Sequence, residues 1–569
     1  MTAPSISAAR GLARLGGTGS VTCFTGWDPP SKGGSRSVAN AWAPSVGGGV
    51  RTDGGVATPV PASAAKPVRL MNGGAGVSSR VPCSPSAESS PMTPTPPNAR
   101  LELSPDEMRA MGYRVVDLIV EHVSGMQHAP VQHVESRATL EARLREPAPE
   151  HGISWEAALE RASREVFGAM SGNDHPRFFA YVPGPGNFVG AMADALASGL
   201  NPFNGAWVTA SGPAQAELVA ADWLRAACGL PEGAGGAFVS GGSMANLTAL
   251  AVARDRRFGR VDFARAVIYA GDQVHSSVAR GARVLGFAPE RLRVLPCDDA
   301  FRLDVGALER AMDEDARAGL VPFAVVASAG TTNTGAVDPL PELAALCRRA
   351  GAWLHVDGAY GAAAALTERG RALLAGLGDA DSVSMDPHKW LFQPYECGVI
   401  LVRDGRALRD TFREVPEYLK DSDHGAEEVN FRDWGVQLTR GFRALKLWLS
   451  VQTFGLEAFR AAIDWGIDLA EVAQDELGKS SEWEVLTPAQ LGIVTFRHRP
   501  PGLGEGPALD AHQRATAAEV SRGGWAMLAT TELRGRAALR LCTINPRATE
   551  GDVRETVRRL AAAGRALAG

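Results

Sequence analysis

Residues 352–361 read AWLHVDGAYG. A short apolar run, Trp353 to Val356, ends in Asp357 and then in small residues. Its length and its flanking glycines read as a buried strand. An aspartate at the end of such a strand is costly to bury without a cationic partner. The small residues that follow leave room for one. Working outward, six more runs have the same form: GGAFVSGG (235–242), RAVIYAGD (265–272), RVLPCD (293–298), FAVVASAG (323–330), DSVSMD (381–386) and GVILVR (398–403). Each is β-branched or Ala-rich, and most end in Gly, Asp or Ser. Helical patterns lie between them. Strands alternating with helices predict an α/β fold with a mainly parallel seven-stranded sheet covered on both faces. In such sheets ligands bind beyond the carboxyl ends of the strands. Those strand ends are therefore the place to look for chemistry.

The totals narrow the function classes. The chain has 569 residues, is 45% hydrophobic and 21% charged, and carries a net charge of −5. That length suits two or three domains. That charge gives no reason to expect nucleic acid or an anionic membrane as a partner. No apolar run reaches the length of a membrane-spanning helix. The seven cysteines are scattered, without a Cys-x-x-Cys pair or a His/Cys cluster. This argues against a disulfide framework and against a metal site, and fits a reducing, cytoplasmic setting.

Residues 1–97 differ from the rest. They are rich in Gly, Ser, Pro, Ala and Thr and poor in acidic residues. Such a composition cannot bury enough apolar surface to fold. Two readings stand: a disordered extension, or an organelle-targeting segment. From 98 to 187 a helical segment is expected. Ser104 reads as its N-cap, Pro105 as the first helical residue and Glu107 as the partner in a capping box. Met108, Met111, Val115, Leu118 and Ile119 form a packing stripe, suited to a partner subunit. Residues 188–447 hold the sheet. Residues 448–569 read as a small α+β domain with GIVTFRHR and AALRLCTI as strands and EGDVRETVRRLAAAGRALA as the last helix.

Several strand ends carry polar groups. FVSGGSMANLTAL is a strand, a glycine turn and a helix opened by Ser243, a fit seat for a phosphate. An ordinary connection has the same look. His275 stands at a helix start, where a histidine is more often a satisfied polar residue. Thr331 and Thr332 end another strand. SVSMDPHKWLF (382–392) sets Lys389 between a histidine and a tryptophan, just after Asp386 and Pro387. A buried carboxylate, a desolvated lysine, a phosphate seat and a flat histidine together suit pyridoxal phosphate.

The motifs HPRFFAYVPGPGNFVGAM, GGSMANLTAL, HSSVARGA, GTTNTGAVD, HVDGAYG, DPHKW, EYLKDS and GFRALKLW, in this order, resemble the group II pyridoxal-phosphate-dependent amino-acid decarboxylases of the aromatic-L-amino-acid type. The resemblance runs from about residue 100 to 569. It implies the aspartate-aminotransferase-like fold (fold type I) and a homodimer with shared active sites. By position, it makes Lys389 the Schiff-base lysine and Asp357 the partner of the ring nitrogen. His275 is implied to stack on the ring and to help hold the substrate. Gly242, Ser243 and His388 are implied to meet the phosphate, and Thr331 and Ala359 to line the cofactor. Tyr418 matches the tyrosine of the family's catalytic loop, which supports protonation of the α-carbon. In this family a phenylalanine there goes with aldehyde formation, so Tyr418 favours the amine.

The substrate is expected to be an aromatic L-amino acid: tryptophan, tyrosine, phenylalanine or dopa. Methionine, valine or leucine are the alternatives. Tyr181, Gly184, Phe203 and Trp207 are the candidate substrate contacts, with Phe178 as further aromatic surface. Two positions depart from the pattern. Asp386 stands where many members have Asn; a carboxylate there would repel a phosphate, so its side chain is expected to point away. Gly184 stands where a threonine hydroxyl usually meets the substrate, and it cannot offer one.

Overall fold

The structure, a computed structural model, describes residues 101–259, 263–414 and 428–569. The N-terminal extension and Tyr418 lie outside these residues. Helix α1 (Pro105–Gly125) starts with the expected capping box: Ser104 Oγ accepts from the Glu107 amide, and the Glu107 carboxylate accepts from the Ser104 amide at 2.8 Å. Helices α2 (Arg137–Leu144), α3 (Trp155–Arg161), α4 (Phe188–Leu200) and α5 (Trp207–Ala227) follow. Helix α5 kinks at Ala210, about one turn before Pro213. The proline ring and its missing N–H account for the break.

All seven runs anticipated as strands form one sheet: β1 (Gly235–Val239), β2 (Ala266–Gly271), β3 (Leu292–Leu295), β4 (Val321–Ser328), β5 (Trp353–Asp357), β6 (Ser382–Met385) and β7 (Gly398–Val402). Their order is β1-β7-β6-β5-β4-β2-β3. Strand β7 runs antiparallel to both neighbours, and the remaining pairs are parallel. The carboxyl ends of β1, β2, β4, β5 and β6 therefore share one edge of the sheet. Helices α6 (Gly242–Phe258), α7 (Ser276–Val284), α8 (Val305–Arg317), α9 (Leu340–Ala350), α10 (Glu368–Leu373) and α11 (Arg406–Phe412) connect and cover it. Ile268, Val325, Val356 and Leu401 are fully buried, as strands covered on both faces require.

Strand β1 is a sheet edge, and its outer backbone groups need partners. Glu217 of α5 supplies them together with Arg440. Glu217 Oε1 accepts from the Phe238 amide at 3.0 Å, and Arg440 donates to the Phe238 carbonyl at 2.6 Å. The two side chains also pair with each other at 2.6 Å, and both are almost wholly buried.

Helix α12 (Leu445–Gly478) is broken at Gly455, whose φ of 72° suits glycine. It leads to a second, antiparallel sheet of β8 (Trp483–Gln490), β9 (Ile493–His498), β10 (Ala529–Leu533) and β11 (Arg536–Cys542), in the order β10-β11-β9-β8. Helices α13 (Pro507–Arg522) and α14 (Glu550–Ala568) pack with it. Sequence reading found β9 and β11 only. These are the central strands and almost entirely buried. Strands β8 and β10 are the edges, and most of their residues are half-exposed. Their sequences, WEVLTPAQ and ATTEL, carry too few apolar residues to stand out.

Replacing Glu217 with alanine leaves Arg440 buried and unpaired and frees the β1 edge. The unfolding free energy in urea is expected to fall by about 3–5 kcal/mol. A change below about 1 kcal/mol would show that the pair does not hold the edge.

Candidate active site

The shared sheet edge opens on a cavity of about 350 Å³. This is within the usual range of small-molecule sites. Lys389, Asp357, His275, Gly242, Ser243, Thr331, Ala359 and His388 all line it, together with Asp386, Asn246, Ser277, Tyr360 and Glu396. The register explains the convergence. Ser328, Asp357 and Ser384 pair across β4, β5 and β6, so all three stand side by side at the strand ends.

Asp357 is buried, with 7% exposure. Its Oδ2 accepts from Asn246 Nδ2 at 2.8 Å, and its Oδ1 accepts from Ser384 Oγ and the Ala359 amide, both at 3.2 Å. All three donors are neutral. Behind Asn246 the bonds continue in one direction. His355 Nε2 donates to Asn246 Oδ1 at 2.9 Å, Ser382 Oγ donates to His355 Nδ1 at 2.9 Å, and Trp353 Nε1 donates to Ser382 Oγ at 2.8 Å. Burial pushes His355 down to about 4, against the pull of Asp357, so its ring is neutral. A neutral imidazole is what the chain requires, since one nitrogen donates and the other accepts.

Lys389 reaches Asp386 Oδ2 at 2.9 Å. Burial works to depress its pKa, but the charge and hydrogen bond of Asp386, with Asp357 and Tyr395 behind, more than offset this and raise it. The expectation that Asp386 would turn away is not met. Its side chain is 3% exposed and faces the glycine turn: a Cβ at Gly242 would stand 3.1 Å from Asp386 Oδ2 and 2.8 Å from the Ala359 methyl. Residue 242 must therefore be glycine to keep the turn open. The peptide edge there belongs to the first turn of α6, where no side chain caps the helix. The Met244 amide turns back to the Gly241 carbonyl at 2.9 Å, and the Gly242 and Ser243 amides are left to meet an anion.

His275 caps α7, and its Nδ1 accepts from the Ser277 amide at 3.3 Å. His388 Nδ1 accepts from the Cys397 amide at 3.2 Å. Burial, foremost, and the Lys389 charge lower the pKa of His388, and Asp386 opposes them. Trp390 is fully buried and stacks on Tyr360 with ring centres 5.2 Å apart and planes 8° off parallel. That stack fixes the backbone on which Lys389 stands.

The four candidate substrate contacts are elsewhere. Tyr181 is 61% exposed, Gly184 abuts Tyr395, Phe203 lies against Gly205, and Trp207 opens α5 beside a separate apolar cluster. None is among the residues lining the cavity in this chain. Sequence reading missed Asn246, His355, Ser384 and Tyr395. His355 had a detectable signal, because it lies two residues before Asp357 and so on the same face of β5.

Residues 138–499 match the pyridoxal-dependent decarboxylase conserved domain. The chain belongs to the pyridoxal-dependent decarboxylase family. It is 48% identical to an aromatic-L-amino-acid decarboxylase of Bacillus atrophaeus over 463 residues, 81% of this chain and 96% of that protein. It is 31% identical to a phenylacetaldehyde synthase of Petunia hybrida over 69% of this chain and 80% of that one. A crystal structure of Oryza sativa TDC with PLP and tryptamine superposes with a TM-score of 0.79 at 30% identity, covering 82% of this chain and 99% of that one.

The cavity fits this family's cofactor, pyridoxal phosphate. Asp357 is a buried carboxylate that accepts from three neutral donors, which leaves it to balance a cationic ring nitrogen. Lys389 supplies the amine, and the α6 turn supplies the anion seat.

His355 makes stability acid-sensitive. Its folded pKa of about 4 lies below the ordinary 6.5, so the unfolded chain binds its proton first. Its contribution is complete above about 6.5 and is lost as the pH falls through 4, amounting to about 3 kcal/mol. Between pH 7 and 4.5 the unfolding free energy of the His355→Gln variant should fall less than that of wild type, by about 2–3 kcal/mol. Parallel pH profiles would contradict a neutral, buried His355.

Proposed function

We propose that this protein removes the α-carboxyl group of an aromatic L-amino acid as CO2 and releases the amine. The observation that carries the reading is the convergence of Lys389, Asp357, His275 and the Gly241–Ser243 turn on one cavity. The 48% identity to an aromatic-L-amino-acid decarboxylase supports the substrate class.

When bound, pyridoxal phosphate supplies a ring that accepts the electron pair left by departing CO2. In this reading Lys389 is its covalent anchor and later takes and returns protons through Nζ. Asp357, oriented by its three donors, would pair with the ring nitrogen. The Gly242 and Ser243 amides and His388 hold the phosphate, and Thr331 and Ala359 border the ring. His275, with Nδ1 tied to its own helix, covers the ring face and orients the substrate. Tyr418 is assigned the protonation of the α-carbon.

The reading includes a homodimer with shared active sites. Support comes from α1, a 21-residue helix with no buried residue. Tyr113 on α1 and Leu200 at the end of α4 are 70% and 74% exposed, apolar groups that a second copy would cover. In such a dimer Tyr181, Gly184, Phe203 and Trp207 frame the mouth of a site. No described helix is long and apolar enough to cross a membrane. Among the described residues all five cysteines are free thiols, which agrees with a cytoplasmic location. No cluster suited to a metal ion occurs among them. A second reading is aldehyde synthesis, favoured by the likeness to phenylacetaldehyde synthase; the tyrosine at 418 favours the amine.

The test is a panel of L-amino acids given to the protein with pyridoxal phosphate, scored for CO2, amine, aldehyde and peroxide. Amine and CO2 from an aromatic substrate are expected; aldehyde with peroxide would establish the second reading. Lys389→Ala should reduce amine formation to background, and Asp357→Ala should reduce turnover by about 10²–10³-fold. Asp386→Asn removes the carboxylate that raises Lys389. The pH midpoint for capture of pyridoxal phosphate by the apo-protein should therefore move to lower pH. An unmoved midpoint would show that Asp386 does not set the charge of Lys389.

A further inference from the structure

Gly184 lies in the turn Pro183–Gly186, which offers the site no hydroxyl. Yet the space above it is filled. A Cβ built on Gly184 would overlap the Tyr395 Oη and Cζ atoms and would stand 3.0 Å from the His388 carbonyl. The neighbouring glycines face the same corner: a Cβ on Gly190 would meet Pro394 Cδ at 2.6 Å, and one on Gly186 would meet Pro394 Cα at 3.3 Å. Residues 184–190 are thus cut away to admit Pro394 and Tyr395.

Tyr395 is held in place from both sides. Its ring packs on His388 with centres 4.9 Å apart. Asn173 Nδ2 donates to its hydroxyl oxygen. That bond uses the oxygen as acceptor and leaves the O–H proton free to donate. The side chain is 53% exposed, and the partial burial that remains is the foremost cause raising the pKa of the phenol, so the proton stays on. Its ring neighbour His388 and the next residue, Glu396, both line the cavity that holds Lys389, the group whose nitrogen an incoming amino acid replaces. The α-carboxylate of that amino acid lies only about 2.5 Å from its amine nitrogen.

We infer that Tyr395 is a substrate-binding residue whose hydroxyl donates to the α-carboxylate of the bound amino acid, in space that exists because residue 184 is glycine. The inference rests on the decarboxylase reading and names the carboxylate contact within it. A hydrogen bond to an anion there aids recognition of an amino acid and gives nothing to an amine. It therefore also favours release of the decarboxylated product.

The experiment compares two ligands of the pyridoxal-phosphate-loaded protein. α-Methyl-L-tyrosine carries the carboxylate; α-methyltyramine differs only in lacking it. Binding is read from the cofactor's visible absorbance immediately after mixing. Tyr395→Phe should weaken α-methyl-L-tyrosine by about 10- to 100-fold and leave α-methyltyramine within about 2-fold. Gly184→Ala, which drives a methyl group into the hydroxyl, should act in the same direction. Equal shifts for both ligands, no shift for either, or a wild-type protein that binds the two equally would overturn the inference. Aldehyde as the released product would overturn the proposed function alone, because this comparison reads binding and no product.

Discussion

A carboxylate kept charged inside a protein is the constraint around which this site is built. Asp357 ends a buried strand, and leaving its charge unpaired there would cost several kcal/mol. Three neutral donors reduce that cost without cancelling the charge. The donors come from β6, from α6 and from the turn after β5, so the sheet order itself is needed to satisfy one side chain. The bonds behind Asn246 all point toward Asp357, which requires His355 to stay neutral. Burial achieves that. The result is a negative charge fixed in position and waiting for a cation.

Lys389 is the natural partner by charge, but its ammonium is engaged by Asp386. The sheet therefore holds two carboxylates and one lysine at adjacent strand ends. The near carboxylate keeps the lysine protonated, and the far one stays available to a ring nitrogen. An anionic side chain beside a phosphate seat is unfavourable in isolation; beside a lysine it is a paired charge. Trp390, stacked on Tyr360, holds this arrangement against α12 and the turn between β8 and β9: a Cβ on Gly466 or Gly492 would approach its indole at 3.1 or 3.5 Å. Tyr395 packs on His388, with its hydroxyl oxygen accepting from Asn173.

Much of this was legible in the sequence because buried parallel strands must be continuously apolar. The runs ending at Val239, Gly271, Ser328, Asp357 and Met385 stood out for that reason, and so did the polar residues just beyond them. Lys389 and Asp357 were legible as charges where apolar residues should be. The support around them was not. Asn246 meets His355 and Asp357 across 109 and 111 residues of chain, and no local pattern announces such a contact. Asp386 was misread because only its expected repulsion from a phosphate was weighed, not its attraction to a lysine three residues away. Strands β8 and β10 were missed because edge strands have one solvated side and weak alternation.

The account stands on a single covalent attachment. Reduction of the pyridoxal-phosphate-loaded protein with borohydride, followed by peptide mass mapping, reads it directly. The account predicts a pyridoxyl group on Lys389 and on no other residue. Attachment at the buried Lys446, or no attachment at all, would contradict it.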